Sequence, residues 1–149
     1  MKKIFLSASV PEHNANKEAI KEAVWAVVDT VAKDAECRLV WGGHPTITPM
    51  LQEGFARYGM HLSERVTVYL SREFEDVMPA DRVDIGARIY TERRGNREES
   101  LRLMREKMIG ENDFEEGVFI GGKEGVDEEY RMFRAMHPEA KCRVVLREK

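Results

Sequence analysis

One residue in this chain has the type and position for chemistry on a sugar, the carboxylate of Glu129, four residues after Gly125 at the start of a helix. A carboxylate can stabilise an oxocarbenium-like sugar or position water. Glu129 lies in the run Glu116 to Phe133, EGVFIGGKEGVDEEYRMF, which reads as a buried strand, a glycine turn and a helix with acid in its first turn. Asp127 and Glu128 share that helix start, where negative charge complements the macrodipole, and capping accounts for both.

Gly121 and Gly122 form the turn of this run, followed by Lys123 and Gly125, and Gly42 and Gly43 form a matching turn in Leu39 to Leu51, LVWGGHPTITPML. Glycines between a strand and a helix let the backbone approach a ligand, and the free amides of the first helical turn can receive phosphate oxygens. Thr46 and Thr48 add hydroxyls beside the upstream turn, and Pro45 and Pro49 stiffen it. His44 is a candidate phosphate donor or general acid, since a free imidazole titrates near neutrality; a lone histidine beside Pro45 is more often a loop and capping residue. Glycines after strands are also common turn residues; two pairs at equivalent positions are what favours a phosphate or nucleotide site. Ser7 and Ser9 put two more hydroxyls at the end of a first apolar run. His13, His61 and His137 lack metal-ligand spacing, so no zinc site and no cofactor is expected. Trp41, at a strand end, reads as core more than as a base-stacking platform.

The elements that must hold these residues alternate. Apolar Ile4 to Ala8 suits a first strand. Ile20, Val24, Val27, Val28 and Val31 recur at helical spacing between Asn16 and Lys33. Arg38 to Trp41 is a second strand, and Ile47, Met50, Leu51, Phe55 and Tyr58 stripe a helix that Gly59 ends. Val66 to Leu70 is a third strand. Ser71 to Asp84 has no clear period and reads as a surface excursion. Ile85 to Tyr90 is a fourth strand, followed by a polar loop with the basic pair Arg93 and Arg94. Leu101, Met104 and Met108 place a helix over Glu99 to Ile109, and Lys141 to Leu146 is a last strand. Such alternation predicts βαβ units in an α/β, three-layer, doubly wound, mostly parallel sheet, with ligands outside the carboxyl ends of the strands.

With 149 residues, 42% hydrophobic and 34% charged, the chain fits one domain spanning 1–149, able to bury roughly two-thirds of its unfolded surface. The net charge of −3 exerts no general pull toward a nucleic-acid backbone, so an anionic ligand needs local donors. Cys37 and Cys142 lack C-x-x-C spacing and read as reduced thiols; with no apolar run of membrane-spanning length, a cytoplasmic protein without direct nucleic-acid or membrane binding is expected.

These residues resemble the SLOG superfamily, the Rossmann-like group that includes the LOG-type phosphoribohydrolases and a DNA-processing protein. The LOG signature P-G-G-x-G-T-x-x-E is similar to Ile120-Gly121-Gly122-Lys123-Glu124-Gly125-Val126-Asp127-Glu128-Glu129, with isoleucine for proline, one extra residue after the glycine pair and valine for threonine. Met104-Arg105-Glu106-Lys107 resembles the M-H-E-R-K helix of those enzymes. The resemblance implies that Arg105 and Glu129 would act on the N-glycosidic bond of a nucleoside monophosphate. The departures, with GGHPTITP and EGVFIGGKEGV, bring the chain closer to SLOG branches proposed to sense nucleotide-derived signals in bacterial defence and stress. That likeness implies a nucleotide ligand, a homodimer or higher homo-oligomer, and an effector protein as partner. A Rossmann-like scaffold whose glycines are only turns is the third reading.

Overall fold

The computed structural model describes residues 2–11, 16–122 and 124–146. Six strands, β1 (Lys2–Ser9), β2 (Cys37–Trp41), β3 (Val66–Ser71), β4 (Ala87–Thr91), β5 (Glu116–Gly121) and β6 (Lys141–Val145), form one sheet in the order β4-β3-β2-β1-β5-β6. Every pairing is parallel, with Ser7 beside Phe119 and Ser9 beside Gly121 where β1 meets β5. The α/β Rossmann-like architecture expected from the alternation is present, and the sheet is wholly rather than mostly parallel.

Strand side chains alternate between two apolar layers. Ile4, Leu6, Leu39, Trp41, Val66 and Val68 pack with helices α1 (Lys17–Ala32) and α2 (Thr48–Ala56). Phe5, Val40, Tyr69 and Phe119 pack on the other face with α4 (Arg97–Gly110) and α5 (Glu124–Met136). A short helix, α3 (Leu62–Arg65), precedes β3. Asn16 caps α1 by accepting from the Ala19 amide, and Asn96 caps α4 by accepting from Glu99, which starts α4 two residues before the apolar spacing does.

The chain steps outward from β1 through β2, β3 and β4, then returns across the sheet to β5 on the opposite side of β1. The direction of winding therefore reverses between β1 and β5. The loops leaving those two strands diverge to opposite faces and open a crevice at their carboxyl ends, the usual ligand position in doubly wound sheets.

One segment differs in character from its expectation. Ser71 ends β3, while Arg72 to Asp84 lies outside the sheet, as expected of an excursion, but Arg72–Val77 forms a 3-10 helix that Ser71 caps through the Glu73 amide. Phe74, Val77, Met78 and Pro79 from this segment then wall the crevice. The signal was hidden because six residues of 3-10 helix, kinked at Phe74, are too short to show a period.

Candidate functional site at the strand-order reversal

A cavity of about 540 Å³ occupies the crevice. Ser7 and Ser9 end β1 there. Gly42, Gly43 and His44 come from the loop after β2, Phe74 and Met78 from the segment after β3, Leu101, Met104 and Arg105 from α4, and Gly125 and Glu129 from α5. Five chain segments distant in sequence thus supply one site.

Its polar floor is a bonded group of three residues from three elements. The Ser7 hydroxyl donates to Glu129 Oε1 at 2.7 Å, and Arg105 Nε donates to Glu129 Oε2 at 3.0 Å. Arg105 Nη1 donates to Glu128 Oε2 at 3.2 Å, so the guanidinium bridges two carboxylates. The Arg105 and Glu129 side chains are only 14% and 15% exposed, whereas that of Glu128 is 40% exposed. Burial pushes the Glu129 carboxyl above its ordinary value of 4.5; the charge of Arg105 and the Ser7 hydrogen bond pull the other way without cancelling the effect. Gly125 is matched to this group, because a Cβ there would lie 3.2 Å from Arg105 Nη2.

The two glycine turns differ from one another. Gly121 and Gly122 have φ of +59° and +71° and are buried outside the cavity lining. A Cβ on Gly121 would meet the Ser9 carbonyl oxygen at 2.5 Å, and one on Gly122 would meet Val126 Cγ2 at 2.3 Å. Their direct work is to turn the chain tightly from β5 into α5. Lys123, expected with them, lies outside the described residues. Gly42 and Gly43 do line the cavity, with Gly43 at φ +77°, but a turn intervenes before α2. The amides of Ile47 and Thr48 both donate to the His44 carbonyl, and the Thr48 hydroxyl does the same. Thr46 accepts from the Val10 amide, and its own amide donates to His44 Nδ1. Thr46 and Thr48 therefore hold the loop and do not line the cavity. His44 is exposed at the rim, and partial desolvation of its ring lowers its pKa from 6.5.

Trp41 borders the cavity but is 2% exposed, with its indole N–H donating to the Ile85 carbonyl. Cys37 and Cys142 are free. Among the described residues no group of three or more His, Cys, Asp or Glu could hold a metal ion, and no helix is long and apolar enough to cross a membrane.

The sequence reading missed Phe74, Met78, Pro79 and Arg97 as cavity residues. A signal for the last was available: Arg97, Leu101, Met104 and Arg105 follow helical spacing, so one stripe of α4 faces the cavity.

The family model of the SLOG cluster3 family matches residues 12–147. The chain belongs to this SLOG family. The match covers both glycine turns and the Arg105–Glu129 pair, while Ser7 and Ser9 of the crevice precede it. No curated protein matches the chain. Membership in the SLOG family agrees with the parallel sheet and with a nucleotide-related Rossmannoid fold.

Proposed function

We propose that this SLOG domain binds a nucleotide or nucleotide-derived signal in the crevice between β1 and β5. The observation that carries the reading is the Ser7–Glu129–Arg105 group on the floor of a cavity at the strand-order reversal. A ribose presents hydroxyls that Glu129 and Ser7 can bond. Phosphate oxygens would lie against the Gly42–Gly43 turn and the first turn of α5, where helix amides and dipole favour an anion. Arg105 already bridges Glu128 and Glu129, so its role in this reading is to hold the carboxylate in place. As a sensor in defence or stress signalling, the domain would pass occupancy to an effector protein, and a homodimer would serve that purpose.

N-glycosidic hydrolysis of a nucleoside monophosphate is the second reading, favoured by one observation: Glu129 is a cavity carboxyl whose pKa burial raises, as acid–base catalysis requires. Binding of nucleoside mono- and diphosphates, linear and cyclic, is measured by calorimetry, and released base by chromatography. Saturable binding without base release supports the sensor. Turnover that Glu129→Ala abolishes supports the hydrolase. Absence of binding by the whole panel overturns both.

A further inference from the structure

Arg97 and Phe74 form a pair that the site so far leaves unused. The Arg97 guanidinium lies over the Phe74 ring at 5.2 Å from its centroid, and both residues line the cavity. This ring contact is the side chain's one interaction among the described residues; no carboxylate or hydrogen-bond acceptor engages it. The contrast with Arg105, committed to two carboxylates, is sharp. Stacking on an aromatic face fixes the plane of a guanidinium while leaving its in-plane donors free.

Position along the cavity adds to this. Phe74 follows β3, and the Glu129 carboxylate is bonded to Ser7 of β1, two places along the order β3-β2-β1. At strand spacing that is roughly 10 Å, enough to set a nucleotide's sugar at one end and the far edge of its base at the other. Met78, Pro79 and Leu101 supply an apolar lining beside the pair, suited to the faces of a planar ring.

Resting on the nucleotide reading above, we propose that Arg97, held over the Phe74 ring, reads the base of the ligand and selects one with two adjacent acceptors, as guanine presents at O6 and N7. Arginine has donors only and its fork matches that edge in a bidentate contact, whereas adenine offers an amino donor at the corresponding place. Arg97 is thus the specificity-determining residue for a guanine-class nucleotide.

The test compares calorimetric affinities of guanosine and adenosine 5′-monophosphate for wild type, Arg97→Lys and Arg97→Ala, with inorganic phosphate as competitor. The wild type should prefer the guanine nucleotide by about 5- to 150-fold, the range for a bidentate base contact. Arg97→Lys, which keeps the charge and loses the fork, should remove most of that preference and leave adenosine monophosphate affinity nearly unchanged. Arg97 is exposed and makes no ion pair among the described residues, so both variants should keep a melting temperature close to that of the wild type. Equal affinity for the two nucleotides, or preference for adenine, overturns the assignment while leaving nucleotide binding intact. A uniform loss for both nucleotides in Arg97→Ala, with phosphate competing through the same residue, also overturns it, because Arg97 would then hold phosphate. Failure of the folded wild type to bind either nucleotide overturns the nucleotide reading itself.

Discussion

Glu129 meets one hydroxyl and one guanidinium in a place with little access to water, and each partner has a separable energetic role. Removing Arg105 while keeping Glu129 leaves a buried carboxylate without its cation. Arg105→Met should therefore cost about 3–5 kcal/mol in urea unfolding at neutral pH. Adding Glu129→Gln should restore part of the loss, and additive costs in the double variant would show that the pair does not couple. The pH dependence has a definite sign. Because burial raises the folded-state pKa above 4.5, the folded protein holds the Glu129 proton more tightly than the unfolded chain does. The associated stability is present below about pH 4.5 and is lost as pH rises through the folded-state pKa. The melting temperature of Glu129→Gln relative to wild type should accordingly move in favour of glutamine between pH 4.5 and 7; a difference constant with pH would count against a raised pKa. Glu129 and Ser7 were legible as candidates from residue type and position, and Arg105 from the likeness of its run to a family motif. The hydrogen bonds joining them were not, since 122 positions separate Ser7 from Glu129.

At the scale of elements, the glycine turns are where sequence pattern and structural cause come apart. Both pairs follow strands, but the Gly121–Gly122 turn is packed against β1 and α5, while Gly42 and Gly43 face the cavity. Substitution should separate the cost of backbone strain from that of collision. Gly59 has φ of +66° and open space where a Cβ would go, so Gly59→Ala should cost only about 1–2 kcal/mol for the left-handed conformation. Gly121→Ala adds a 2.5 Å approach to a backbone oxygen and should cost clearly more. Denaturant midpoints for the two variants compare them directly, and equal midpoints would mean that the β5–α5 turn relaxes freely. Strands and helices were readable because period two and period 3.6 are local properties. Their ends moved by a few residues where a cap decided them, as Asn96 did for α4. The fourth strand, expected over Ile85 to Tyr90, runs Ala87–Thr91 because Gly86, at φ +118°, bends the chain against β3 before it.

Across the whole molecule, the face carrying α4 and α5 is held by aromatic rings. Phe133 is 0% exposed, stacks on Phe5 at 5.6 Å with planes 9° apart, and meets Phe114 and Phe119 at 5.6 Å. Gly117 in β5 admits the ring, since a Cβ there would lie 2.9 Å from it. Phe133→Ala should cost about 3–5 kcal/mol in urea unfolding. The same variant should weaken ligand binding, because α5 carries both Phe133 and Glu129; unchanged affinity in the folded fraction would show that the site does not depend on this packing. Residue order along the chain was enough for the βαβ alternation, the two apolar layers, the SLOG likeness and the pairing of a glycine turn with an acidic helix start, because all of these are written in local spacing. The order β4-β3-β2-β1-β5-β6 was not written there, since parallel pairing between distant strands is chosen by which faces bury best together. That choice put the reversal beside β1, brought Arg105 to Glu129, and turned an aperiodic segment after β3 into a cavity wall. The run from Glu116 to Phe133 announces a turn and a carboxylate; burial among elements far away in sequence makes that carboxylate the floor of a site.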